Sequence, residues 1–132
     1  EGSMATDPEP TTVALSVGTH GKLKRLKKEG HFADMADAYR FAIALALAHG
    51  VTPGDITGVR QTVFNIGTLD PDKSVYAAVS ALRLDSSEPV YRTAEKLAEW
   101  GLEELSNMAD GGEIPFTDLF KDAESLREVT SK

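Results

Sequence analysis

Cysteine is absent from this 132-residue chain. That excludes disulfide scaffolds, thiolate zinc sites and cysteine nucleophiles together, and it suits a reducing, cytoplasmic setting. No run of about 18 uninterrupted apolar residues occurs, so no segment is expected to span a bilayer. A basic stretch leading into an apolar run and a small-residue cleavage site is missing as well, so no secretory signal is expected. Glu1-Gly2-Ser3 reads as a cloning remnant before Met4, the expected native start. Glycine-rich phosphate loops (GxxxxGK followed by Ser or Thr, or GxGxxG after a strand) and GxSxG elbows are also lacking. The three histidines, His20, His31 and His49, fall near expected helix boundaries without ligand spacing, and they read as cap or surface residues. Asp70/Asp72 sit at a helix start and Glu103/Glu104 on a wet helix face, positions that explain them without acid–base chemistry. No catalytic residue, metal or cofactor is assigned, and an enzyme is not expected.

What the chain does contain is ordinary for a soluble globular domain: 41% apolar and 27% charged residues, enough for one core. Its net charge of −7 is unevenly spread. Residues 4–50 hold six Lys/Arg against five Asp/Glu, whereas residues 51–132 hold eight against fifteen. Phosphates would be repelled by the second part, so any contact with nucleic acid belongs to the first.

Residues 1–10 are expected to be a disordered lead-in. Over 11–17, "TTVALSV" alternates, with Val13, Leu15 and Val17 on one face and Thr12, Ala14 and Ser16 on the other, the period of a half-buried strand. Gly18 and Gly21 are expected to break it. A short helix over 21–29 then sets Leu23 and Leu26 against the cations Lys22, Lys24, Arg25, Lys27 and Lys28, with Gly30 as its stop. "FADMADAYRFAIALALAHG" (32–50) reads as a helix over 34–49, capped by Asp34, favoured by Asp37 and closed by Gly50. From Phe41 to Ala48 it has no polar residue, so it must be covered on every side. The cover has to come from the C-terminal half, a second copy, or both. Residues 51–69 read as a linker with at most one short strand or helix. In the acidic 70–132 part, one helix is expected over 70–84, with Asp70 as cap and Pro71 at its first position. A second is expected over 86–112, opened by Ser87 and Pro89, with Val90, Ala94, Leu97, Gly101, Leu105 and Met108 forming a stripe that Tyr91, Ala98 and Leu102 widen. A last one is expected over 117–129, capped by Thr117. The whole is a mainly α domain in which C-terminal helices pack on a buried central helix.

Strand, glycine turn, basic helix, glycine turn and apolar helix over about residues 11–50 resemble a ribbon-helix-helix module. The resemblance implies a homodimer through antiparallel strands. Val13, Leu15, Val17, Phe32, Tyr39, Phe41, Ile43, Leu45 and Leu47 are expected in the dimer or core, and so is Trp100, by its helical spacing on the later helix. The resemblance also implies that Thr12, Ala14 and Ser16 enter a DNA major groove and that a phosphate sits at the second helix start. This chain departs from that pattern in two places. Thr12, Ala14 and Ser16 lack the reach to read base edges, and Asp34 and Asp37 put negative charge where the phosphate would sit.

A longer stretch, "GHF.D..DAYRFAIALAL" from Gly30 to Leu47 with Phe32, Asp34, Asp37, Phe41, Ala42, Ala44 and Leu45, followed by the Trp100 helix and Gly111–Gly112, resembles a second family. Its members are small proteins associated with Dnd systems, which modify or restrict DNA through backbone phosphorothioation. The likeness covers most of residues 20–112. It implies a non-catalytic accessory role in antiviral defence, with other defence proteins as partners and no membrane. An autonomous ribbon-helix-helix repressor or antitoxin is the alternative. For the 22–28 cations, a solvated helix face is the leading expectation. Contact with double-stranded DNA phosphates comes next, then docking on an acidic protein surface.

Overall fold

The computed structural model describes residues 9–52, 54–82 and 88–119. The expected lead-in up to residue 8, Ser87 and nearly all of the expected 117–129 helix lie outside them. The chain is mainly helical, with a two-stranded antiparallel sheet: β1 (Thr12–Ser16), α1 (Val17–Lys28), α2 (Met35–Ala48), β2 (Arg60–Asn65), α3 (Ile66–Leu69), α4 (Ser74–Leu82), α5 (Val90–Asp110) and α6 (Phe116–Leu119).

β1 ends where Ser16 takes up an N-cap position, its hydroxyl accepting from the Thr19 N–H. α1 therefore starts at Val17 and runs straight through Gly18 and Gly21, against the expectation that they break the chain. Each glycine costs about 1 kcal/mol in a helix interior. The Ser16 cap and the burial of Thr19, Leu23 and Leu26 offset that cost. At the far end Gly30 adopts φ +84°, its N–H bonding Lys27 O while that of His31 bonds Leu26 O. Gly50 closes α2 in the same double-bonded way at φ +65°. Asp34 caps α2 as expected, its carboxylate accepting from the Asp37 N–H at 2.8 Å.

The expected linker holds β1's partner. β2 pairs antiparallel with β1, Ser16 opposite Arg60 and Val13 opposite Phe64, with an irregularity between Val13 and Ala14. α3 follows directly. The expected helix over 70–84 starts later, at Ser74, and Pro71 lies ahead of it. Asp70 still serves as its cap: its buried carboxylate accepts from the N–H groups of Val75 and Tyr76 and from the Tyr91 hydroxyl.

Within the chain, most of the cover on α2 comes from the C-terminal half. α5 lies along it so closely that a Cβ on Gly101 would stand 2.3 Å from the Ala42 carbonyl oxygen. The expected α5 stripe is the buried face, with Met108 at its half-buried end. α1 and α4 pack against the same pair. Ala44 remains exposed on α2, and Phe41 packs edge-on with Phe32 and Phe116 at centroid distances of 5.4–5.5 Å. Glu9, expected in a loose lead-in, is fixed: its carboxylate accepts from the N–H groups of Val90 and Tyr91 at the start of α5.

Candidate functional site

The five cations of α1 divide by face. Lys22 and Arg25 lie on the flank toward α5. There Lys22 Nζ is 3.6 Å from a Glu103 carboxylate oxygen, and Arg25 donates to the Ser106 hydroxyl and carbonyl and, at 2.7 Å, to Asp110. Lys24, Lys27 and Lys28 are exposed and have no ion pair among the described residues. Lys24 and Lys28 stand one helical turn apart, with Lys27 beside them. Leu23 and Leu26 anchor the opposite side in the core. Unneutralised ammonium groups on one wet face of a rigid helix can meet a row of anions without giving up internal bonds.

The strand residues expected to face outward do not. Ala14 is buried, its N–H donating to Glu95 at 2.8 Å and its carbonyl accepting from the Tyr39 hydroxyl at 3.1 Å. Ser16 donates to Glu99 from both its N–H and its hydroxyl, at 3.1 and 2.6 Å. Thr12 is half-buried. The pairing of these groups has a simple metric basis. Residues four apart on a helix rise about 6 Å, close to the roughly 6.6 Å between alternate residues of a strand. Glu95 and Glu99 therefore meet Ala14 and Ser16 in register, and they satisfy the β1 edge that β2 leaves open. Of the expected dimer or core set, Val13, Leu15, Tyr39, Ile43 and Leu45 are buried, while Phe32, Phe41, Leu47 and Trp100 are half-buried. Val17 is 49% exposed, because the Ser16 cap turns the chain before Val17 can point inward.

Glu95 is absent from the residues that the sequence pattern singles out. Buried in the middle of α5, its carboxylate accepts from the Ala14 N–H and from the guanidinium groups of Arg60 and Arg92, the latter at 2.9 Å. A signal for it exists. Tyr91, Ala98 and Leu102 form one edge of the apolar stripe, and Glu95 stands on that edge where an apolar residue belongs. Tyr39 feels the same network. Burial, and then the charges of Glu95 and Glu99, hold its phenol well above the ordinary 10.0.

The histidines are separate from one another: His20 Nδ1 contacts Gln61 Oε1, His31 lies 3.5 Å from Glu29, and His49 meets Leu119 O at 3.3 Å. Among the described residues no three His, Asp or Glu side chains gather as a metal site. Comparison with protein-family models, with curated proteins and with solved structures gives no match to this chain.

Proposed function

We propose that the protein is a non-catalytic accessory of a prokaryotic phosphorothioation-linked DNA modification or restriction system. In this reading it joins partner proteins of that system and meets duplex DNA through α1, by backbone charge and not by base sequence. One observation carries the DNA contact. Lys24, Lys27 and Lys28 form an exposed face with no ion pair among the described residues, on a helix whose other cations are tied to α5. Lysine ammonium groups contact phosphates as point charges and carry no sequence information.

The repressor or antitoxin reading asks for more. A ribbon-helix-helix dimer needs β1 free to pair with a second copy, and here β2 holds one edge of β1 while Glu95 and Glu99 hold the other. Its base-reading positions would be Thr12, Ala14 and Ser16, of which Ala14 is buried and Ser16 is bonded to Glu99.

Binding to several unrelated duplexes of equal length distinguishes the two. The accessory reading expects affinities within roughly twofold of each other, since phosphate contacts do not discriminate sequence. It also expects no change on Thr12→Ala. A palindromic duplex preferred by roughly a thousandfold would support the repressor and overturn the accessory reading.

A further inference from the structure

A second charged feature lies away from the α1 lysines, in a cleft of about 390 Å³ where the loop at Asp55 and Ile56 and the start of β2 face the start of α5. Arg60, Arg92 and Lys96 converge there with Asp55, Glu88 and Glu95. Glu95 is 2% exposed and pins both guanidinium groups, each through one terminal nitrogen, so most of each fork of donors is left unspent by it. Glu88 bonds the Lys96 ammonium at 2.7 Å and keeps it firmly protonated.

Asp55 differs from the other two carboxylates. It sits on a loop, its side chain is 90% exposed, and its only ion pair among the described residues is with Lys96 at 3.0 Å. An exposed carboxylate held by one ammonium gains little from the pair. It occupies the place of an anion without being fixed there.

We propose that this cleft binds the terminal oxyanion of a small molecule, a carboxylate or a phosphoryl group. The oxyanion lies between Arg60 and Arg92 and takes the place of Asp55 on Lys96. Paired guanidinium groups suit either oxyanion, because planar forks meet two oxygens at once. Glu95 is a positioning residue: it fixes both arginines before the ligand arrives, so little side-chain ordering remains to be done on binding. This site is independent of the α1 face.

The test follows the backbone amide resonances of Arg60, Arg92, Glu95 and Lys96 while inorganic phosphate, and separately acetate, replaces chloride at constant ionic strength. Saturable shifts at these four residues with at least one anion are expected, and the anion that saturates at lower concentration identifies the group. Asp55→Asn, a change at an exposed residue that the fold does not depend on, tightens binding roughly two- to fivefold by removing the competing charge. Arg92→Gln weakens it roughly tenfold. The triple variant Lys24→Glu, Lys27→Glu, Lys28→Glu leaves it unchanged. Shifts that fail to saturate with either anion, an unaltered affinity in Asp55→Asn, or loss of the response in the triple variant would each overturn the proposal.

Discussion

Glu95 ties β1, β2 and α5 together through one side chain, and its replacement separates two kinds of bond. Glu95→Ala leaves the Ala14 N–H unsatisfied in the interior, and a loss of about 2–3 kcal/mol in urea denaturation is expected. Arg60 and Arg92 are each about two-fifths exposed and return to water, so they add little to the loss. Glu95→Gln keeps an acceptor for Ala14, and its cost falls to about 1 kcal/mol. Tyr39 contributes to the alkaline pH dependence. Its phenol is raised in the folded state, so its contribution is complete below about pH 10 and is lost as pH climbs through the folded value, by about 1.4 kcal/mol per unit. Urea midpoints measured from about pH 8 to about pH 11 should fall more steeply for the native chain than for Tyr39→Phe. Equal slopes would mean that the phenol is not held protonated by the fold.

At the scale of elements, two glycines in helices have opposite expectations. Gly21 lies in α1 with nothing within 4 Å of where a methyl group would stand, so Gly21→Ala should stabilise by about 0.5–1 kcal/mol. Gly101 lies where α5 crosses α2, and a methyl there meets the Ala42 backbone, which cannot move aside as a flexible side chain can. Gly101→Ala should cost about 1–3 kcal/mol by the same urea assay. The helices α2 and α5 are legible in the sequence because both are long, periodic and closed by glycine, signals that are local. β2 is not, because a strand's partner is fixed by distant pairing and this one stands among turn residues at Gly54 and Gly58. The α1 start is obscured for a different reason: two glycines read as a break, while the Ser16 cap ahead of them decides the outcome. Of the two charged features, the lysine cluster is visible as a run of letters. The Arg60–Arg92–Lys96 cleft is not, because it joins residues more than thirty positions apart around an acid hidden in an apolar stripe.

Over the whole molecule, charge is sorted by element. The acidic residues Glu103 and Asp110 of α5 hold Lys22 and Arg25 of α1, and Glu95 and Glu99 of the same helix hold the edge of β1. The lysine face of α1 is left without an ion pair among the described residues. Among the described residues no helix is long and apolar enough to cross a membrane. The salt dependence of duplex DNA binding tests the role of that face most directly, with the native chain compared to the triple variant Lys24→Glu, Lys27→Glu, Lys28→Glu. Three neutralised phosphates give a log–log slope of about −2.7, a loss of roughly fortyfold in affinity between about 50 and about 200 mM salt. The native chain should show that slope and the variant should lose it along with most of its binding. A native affinity flat across that range, or a variant that binds as the native chain does, would contradict the assignment.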